Sequence, residues 1–361
     1  MLLKRKRMAR TWACAATLLA IPAFAATNFV QHNLVADTDG VADNTDTNLV
    51  GSWGISASPT SRIWVSNAAS GTATEYNTLG VGVTAATIPP SKNSKLPAGL
   101  PSGTVWSGYS AGNFEVTPGK PANFMFGSLD GTITANNGGA VIVVDNGANG
   151  AVYTGLGLGV SKAGPTLYVA NFGAGTIEAF DNNFKPVTLA GGFVDRDLPQ
   201  GFAPTNIQRF GTRLYVTYGM PDGNGGFVLG RGAGLINVFD VNGNLLQRLV
   251  PSNASLNMPW GLAVAGPNFG VFSYALIVGN LGDGTISAFD PVTGDYLGTM
   301  QDGKGNNVSI DGLWGLYFGS QGSNGNTNGG DATTLYFAAA PGGGAHGLFG
   351  TLRPAADSIN P

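Results

Sequence analysis

Short apolar stretches alternate with stretches rich in Gly, Asn and Asp along almost the whole chain. The apolar stretches are roughly four to eight residues long and are dominated by Val, Ile, Leu, Phe and Tyr, which favours β-strands over helices. The residues between them form tight turns readily, because Gly and Asn adopt a positive φ at little cost. The pattern predicts an all-β protein built from many short antiparallel strands.

One element recurs at regular intervals. It consists of a residue such as Trp, Ser or Thr, then Gly or once Asn, then an aliphatic residue or Thr. Its central residues lie 49 to 55 positions apart and are Gly54, Gly103, Gly155, Asn206, Gly261 and Gly315. Six units of this size predict a six-bladed β-propeller, in which Gly allows the innermost strands to approach one another around an axis. A solenoid of stacked units is the alternative.

A second element follows within the period and defines the blade. An apolar strand ends in Asn, Gly-Thr comes four residues later, and the next strand ends in an aromatic residue followed by Asp or Asn. The clearest examples begin at Asn67, Asn171 and Asn280. The element predicts a hairpin between the second and third strands of a four-stranded antiparallel blade. The fourth strand would follow it, for example at residues 186–189.

The two ends of the repeat region predict how the ring closes. An apolar strand at residues 29–35 precedes the first repeat, whereas the last repeat ends near Leu352 after only three strands. We therefore expect the N-terminal strand to supply the fourth strand of the last blade, which removes an open sheet edge.

The first 25 residues have the features of an export signal. A basic segment is followed by an apolar run at residues 12–24, and the segment ends in Ala23-Phe24-Ala25, a pattern typical of a cleavage site. The run is shorter than the ~20 residues that span a bilayer. We expect a single propeller domain at residues 26–361, periplasmic or extracellular, with no membrane span after cleavage.

Charge and cysteine content narrow the classes of partner. Five of the 18 Lys and Arg residues and none of the 21 Asp and Glu residues lie in the signal, so the remainder carries a net charge of −8. This balance argues against binding to nucleic acid. Cys14, the one cysteine, also lies in the signal, and His32 and His346 are the two histidines. Such a composition nearly excludes the usual zinc and copper sites.

The densest acidic cluster lies before the first blade and includes Asp37, Asp39 and Asp43. Alternating carboxylates followed by Gly are similar to half of a calcium-binding loop, although the closing glutamate is absent. Calcium is therefore one hypothesis for this loop, and a solvated acidic loop is the other. No further cofactor is predicted.

Tryptophan residues mark a candidate binding surface. Trp53, Trp260 and Trp314 occupy the same place in three repeats, directly before the central Gly, and in a propeller that place surrounds one mouth of the channel. Trp106 lies nearby in the second repeat, and Asn206 adds a polar group in the fourth. Such rings stack on sugars or other flat ligands. Packing between neighbouring blades is the competing interpretation.

Several blocks of the chain resemble a known family. They are residues 48–55, 234–240 with 243–249, 259–262, 311–316 and 345–350. The chain is similar there to an uncharacterised family of exported bacterial β-propeller proteins, some of which carry a PEP-CTERM sorting tail. More distantly it resembles NHL-repeat and lactonase-like propellers. The resemblance implies the fold and export, and it implies no activity.

Three functions follow as hypotheses. The first is a non-catalytic module that binds a small molecule, glycan or protein at the Trp-ringed mouth. The second is a calcium-dependent hydrolase or lactonase-like propeller, which would place several Asp, Asn or Glu side chains at the axis. The third is a structural component of an envelope or matrix. No catalytic residues are predicted.

Overall fold

Antiparallel pairing of consecutive strands arranges the chain as six sheets around a common axis. The structure is a computed structural model that describes residues 28–252, 255–320 and 328–355. The predicted signal at residues 1–25 lies outside them. Strands β1 (Phe29–Ala36) and β2 (Asn44–Thr45) precede the first blade. Within these ranges, two short 3-10 helices occur in loops, at Gly147–Asn149 and Gly270–Phe272.

The blades follow one another along the chain, each beginning with its innermost strand. Blade 1 contains β3 (Ser52–Ala57), β4 (Ile63–Asn67), β5 (Thr72–Tyr76) and β6 (Gly82–Thr87). Blade 2 contains β7 (Pro101–Trp106), a small hairpin of β8 (Glu115–Thr117) and β9 (Lys120–Pro121), then β10 (Phe124–Ser128), β11 (Thr132–Asn136) and β12 (Ala140–Asp145). Blade 3 contains β13 (Tyr153–Ser161), β14 (Gly164–Asn171) and β15 (Thr176–Phe180).

The second half of the ring repeats this order. Blade 4 contains β16 (Ala203–Phe210), β17 (Arg213–Gly219), β18 (Leu235–Asp240) and β19 (Leu245–Val250). Blade 5 contains β20 (Pro259–Val264), β21 (Leu276–Asn280), β22 (Ile286–Phe289) and β23 (Tyr296–Thr299). Blade 6 contains β24 (Leu313–Phe318), β25 (Leu335–Ala339) and β26 (Leu348–Pro354), with β1 outside them. The predicted six-bladed β-propeller is confirmed.

The N-terminal strand closes the ring, as predicted. β1 runs antiparallel to β26 from the pair Phe29–Pro354 to the pair Ala36–Leu348, with one irregularity between Asn33 and Val35. β2 then pairs in parallel with the end of β1. Main-chain hydrogen bonds therefore join the two ends of the repeat region, and the third strand of blade 6 has no open edge.

The recurring Gly residues lie where neighbouring innermost strands approach most closely. A Cβ built on Gly54 would lie 2.4 Å from the carbonyl oxygen of Ser102 in the next blade. A Cβ built on Gly315 would lie 2.4 Å from the carbonyl oxygen of Trp53, across the junction between blades 6 and 1. Any side chain at these positions would push two blades apart, which explains the repeat in the sequence.

The Asn-x3-Gly-Thr element forms the predicted hairpin. Gly71 has a φ of +68° and Gly284 a φ of +70°, so both adopt the left-handed conformation that favours Gly. The amide of Asn67 donates to the hydroxyl of Thr72 at 3.2 Å, and Asn280 makes the equivalent bond in blade 5. The conserved spacing within the repeat thus places a buried amide where it links the two strands of the hairpin.

Blade 3 departs from the prediction of a fourth strand at residues 186–189. Only one bridge forms there, between Phe180 and Pro186, because proline has no N–H to continue a ladder. The following segment instead packs against blade 4. Asp195 accepts hydrogen bonds from Arg248, with which it forms an ion pair, and from Asn237 at 2.9 Å.

Apolar side chains fill the space between adjacent blades. The largest cluster joins blades 5 and 6 and includes Phe269, Ile277, Met300, Phe337 and Leu352, all essentially inaccessible to solvent. Each blade buries both faces of its inner strands in this way, so the six sheets hold one another in place. No helix among the described residues is long and apolar enough to cross a membrane.

Candidate functional site

The chain runs through each innermost strand from one face of the ring to the other. We call the face at which it enters the front face, marked by Trp53, Trp260 and Trp314. The face at which it leaves is the rear face. Because the side-chain positions of a strand are about 3.3 Å apart, residues a few positions along the same strand lie at different faces.

The three tryptophans of the front face meet at the channel axis. The rings of Trp53 and Trp314 are stacked with centroids 3.6 Å apart, and Trp260 packs edge-on against both at 6.3 and 6.0 Å. Each is only 5–7% exposed. The indole N–H of Trp260 donates to the carbonyl oxygen of Thr154 at 3.1 Å. The cluster therefore packs against itself and presents almost no ring surface to a ligand.

Asn206 replaces Gly in the innermost strand of blade 4, and both polar atoms of its side chain form hydrogen bonds. Its amide nitrogen donates to the carbonyl oxygen of Trp260 at 2.9 Å, and its amide oxygen accepts from the N–H of Ile207 at 2.8 Å. The residue is 3% exposed. It links blades 4 and 5, a structural role that the sequence pattern alone did not distinguish from ligand binding.

Trp106 lies apart from these residues, at the rear face. It is the last residue of β7, four positions beyond Ser102, which occupies the place of Trp53 in blade 2. It is 38% exposed. A Cβ built on Gly108 would lie 3.0–3.2 Å from three carbons of the indole, and Gly108 has a φ of +67°. The backbone at Gly108 thus supports one side of the ring and leaves other ring surface open.

Two concave spaces share Trp106. The first is the rear mouth of the channel, a cavity of about 410 Å³ to which five blades contribute and which also contains Tyr109, Arg209 and Tyr317. The second is a groove of about 760 Å³ between blades 1 and 2. Both volumes fall in the range of roughly 300–1,000 Å³ that is usual for small-molecule sites.

Polar groups in the rear mouth are only partly satisfied. The hydroxyl of Tyr109 donates to the carbonyl oxygen of Gly159 at 3.1 Å. By contrast, the hydroxyls of Ser107 and Tyr317 are buried without a hydrogen-bond partner. Burial raises the pKa of Tyr317 to about 12. Buried hydroxyls without a partner also occur away from this mouth, for example at Ser66 and Ser128, so they do not by themselves distinguish it from the rest of the ring.

The groove between blades 1 and 2 combines aromatic and uncharged polar groups. Trp64 lies beside Phe124, with ring centroids 5.7 Å apart, and both are buried beneath the groove. Glu75 lies on β5 and is half-buried. Burial raises the pKa of Glu75, and the nearby charge of Arg62 opposes the shift. The other polar lining residues are Ser58, Thr60, Ser61, Thr84, Thr87, Asn123 and Asn136.

The acidic residues proposed for calcium are not brought together. Asp37 contacts His346, with 3.0 Å between its Oδ2 and the Nδ1 of the ring, whereas Asp43 contacts the Nε2 of His32 at 2.9 Å. Asp39 lies in the exposed turn between them and joins neither pair. Within the described parts of the chain, no group of three or more His, Cys, Asp or Glu side chains is arranged to hold a metal ion.

Sequence reasoning did not find the groove. Trp64 occupies a strand position at which other repeats have Tyr168 or Ile277, so it looks like an ordinary core residue. The lining of the groove comes from two different sheets, and neither contribution forms a motif. One feature of the sequence could have indicated the groove. Trp64 and Trp106 lie in adjacent repeats, at positions where the other repeats have no tryptophan.

Fold and site together define a six-bladed β-propeller whose channel is packed with tryptophan at the front and concave at the rear. No family model matches the chain. It is 33% identical over 313 residues to Uncharacterized protein R648 of Acanthamoeba polyphaga mimivirus, which covers 82% of this chain and 75% of that protein. It is 29% identical over 335 residues to Uncharacterized protein L690 of the same virus, covering 88% and 84%. The chain therefore belongs to the family of R648.

These relatives do not bear out the bacterial part of the resemblance. They are viral proteins, so they lend no support to a bacterial origin. Their printed names describe no activity.

Solved structures with a similar fold are β-propellers. A catalytically inactive virginiamycin B lyase from Staphylococcus aureus, crystallised with quinupristin, has a TM-score of 0.51 at 14% identity and covers 90% of this chain and 99% of that chain. A structural genomics protein of unknown function from Bacteroides thetaiotaomicron has a TM-score of 0.55 at 10% identity and covers 90% and 77%. At such identities the likeness shows the fold alone.

Proposed function

We propose that the protein is an exported, non-catalytic binding module whose ligand site is the rear face around Trp106. The observation that carries this proposal is an exposed indole shared by two concave spaces. Large exposed aromatic side chains in concave surroundings favour ligand contact, because stacking on them removes much apolar surface from water.

The backbone supports this role of Trp106. Gly108 lies against the indole and occupies the left-handed region, so the ring has little freedom to collapse into the groove. A side chain held in place before binding loses less conformational entropy when the ligand arrives, which favours affinity. The front-face tryptophans lack this arrangement, since their rings are already covered by one another.

Export is the second part of the proposal. It rests on the basic and apolar pattern of residues 1–25 and on the placement of Cys14 within that segment. Mass spectrometry of the protein recovered from the periplasm and culture medium of an expressing bacterium tests it. A mature chain that begins at Ala26 is expected. Recovery of the intact chain from the cytoplasm would contradict export.

A thermal-shift screen of a mixed ligand library tests the binding site. We expect ligands to raise the melting temperature of the wild-type protein and of Tyr296→Ala, a control that removes an exposed aromatic residue of blade 5. The same ligands should not shift Trp106→Ala. If Trp260→Phe abolishes the shift and Trp106→Ala retains it, the ligand binds at the front face and the proposed site is wrong.

A further inference from the structure

The groove between blades 1 and 2 carries chemistry that defines a class of ligand. This inference rests on the proposed binding function and concerns the same residue, Trp106. The groove continues from the rear mouth outward between the two blades, with Trp106 in the lining of both. Its volume of about 760 Å³ leaves room for a ligand larger than a single small ring.

Aromatic and polar groups lie close together in the lining of the groove. Trp106 supplies an exposed aromatic surface, and around it lie the amides of Asn123 and Asn136 and the hydroxyls of Ser61 and Thr84. Such a lining matches a ligand that presents both C–H faces and many hydroxyls, because apolar faces stack on indole while hydroxyls require closely spaced donors and acceptors.

The charge of the lining residues further restricts the class of ligand. Glu75 is the only ionisable side chain among the described residues that line the groove. Glu75 is half-buried, the groups that line the groove beside it are uncharged, and Arg62 is the nearby opposite charge. As a carboxylate it accepts hydrogen bonds strongly from hydroxyl donors. The same negative charge disfavours carboxylate-, sulfate- or phosphate-bearing ligands, which would meet it in a partly desolvated place.

We infer that the groove binds a neutral oligosaccharide, with a sugar ring stacked on Trp106 and sugar hydroxyls bonded to Glu75 and to the two asparagines. The stacking face is preorganised by Gly108, and the amides can donate and accept at once. Substituting Gly108 by Ala should therefore weaken binding, since a Cβ would press on the indole that it supports.

Titration calorimetry and tryptophan fluorescence on the full mature chain test the inference. The probes are cellohexaose, maltohexaose, laminarihexaose and chitohexaose, with an oligogalacturonate as the anionic comparison. We expect at least one neutral probe to bind and the anionic probe not to bind. Trp106→Ala should weaken binding about tenfold or more, and Glu75→Ala by a similar factor, since a hydrogen bond to a charged group contributes about 1.5–3 kcal/mol.

Controls separate loss of the site from loss of the fold. Tyr296→Ala should bind as the wild type does, and all variants should retain its circular dichroism spectrum and cooperative unfolding. Glu75→Gln keeps a hydrogen-bonding side chain without the charge, so it should weaken neutral binding less than Glu75→Ala does and should tolerate the anionic probe better.

The outcomes distinguish this inference from the proposed function. If no neutral probe binds, or if binding is unchanged in Trp106→Ala, the oligosaccharide inference is wrong. If the library screen nevertheless finds a Trp106-dependent ligand of another class, the binding function stands. If no ligand depends on Trp106, both fail.

Discussion

Replacing Gly315 by Ala tests whether the close approach of innermost strands limits the stability of the ring. The added Cβ would lie 2.4 Å from the carbonyl oxygen of Trp53 and 2.7 Å from Cγ2 of Ile55. The Ile55 methyl can move, whereas the carbonyl belongs to the backbone of the neighbouring innermost strand. The junction between blades 6 and 1 must therefore widen to accept the substitution.

The expected cost follows from two opposing effects. Overpacking of this kind costs about 1–3 kcal/mol. Replacing Gly by Ala also restricts the unfolded chain, which favours folding by about 0.4–1 kcal/mol. We expect a net loss of about 1–2 kcal/mol in the free energy of unfolding of Gly315→Ala.

Gly266→Ala is the matched control. A Cβ at Gly266 meets nothing within 4 Å, and neither glycine has a φ in the left-handed region, so the two variants differ mainly in available space. The control should be as stable as the wild type or slightly more stable. Urea unfolding followed by tryptophan fluorescence measures both, and it reports on the stacked Trp53 and Trp314 directly. If Gly315→Ala is as stable as Gly266→Ala, the repeated Gly is not required for the close approach of neighbouring innermost strands.

Three further predictions concern the ion pairs and calcium. Asp195→Ala leaves Arg248, whose side chain is 27% exposed, without its buried partner. Because water reaches part of the remaining charge, the free energy of unfolding should fall by about 1–3 kcal/mol, measured by urea unfolding, and a loss below about 0.5 kcal/mol would show that the pair is dispensable. Burial alone would raise the pKa of Asp37, but hydrogen bonds from the N–H of Gly347 and from His346 outweigh it and lower the pKa below 3.8. The stability that this carboxylate contributes is therefore present above pH 3.8 and is lost as the pH falls through the lowered pKa. Asp37→Asn lacks this carboxylate, so its free energy of unfolding should fall less between about pH 5 and pH 2 than that of the wild type. Identical pH profiles of the two proteins would contradict this. Millimolar calcium should leave the melting temperature unchanged, whereas a clear rise would favour the calcium-dependent hydrolase.

The candidate site was predictable only in part. Three of the four tryptophans chosen from the sequence do converge, because they share one position in a repeat and the ring brings equivalent positions together. Trp106 was grouped with them for its nearness in sequence to Gly103. Its four-residue offset from Ser102 corresponds to about 13 Å along a strand, and this places it at the opposite face.

The sequence alone does not predict that the front-face tryptophan cluster is buried. A tryptophan before the central Gly is compatible with indoles that stand apart around an open channel mouth and with indoles that pack on one another. The choice depends on the distance between side chains from blades 1, 5 and 6, and the stacking of Trp53 on Trp314 at 3.6 Å decides it. Likewise, the sequence leaves Asn206 available to a ligand, whereas in the fold its amide nitrogen donates to the carbonyl oxygen of Trp260.

The sequence by itself determined the blade count, the hairpins and the closing strand. These features depend on local chemistry: Gly where no Cβ fits, Asn and Gly in tight turns, and apolar runs of strand length. Only the tertiary structure decided which face each tryptophan occupies, why blade 3 lacks a regular outer strand, and that a groove joins Trp64 and Glu75 of one blade to Trp106 of the next. Those outcomes depend on how separate sheets pack against one another, and side chains that meet across two sheets leave no pattern within either stretch of sequence.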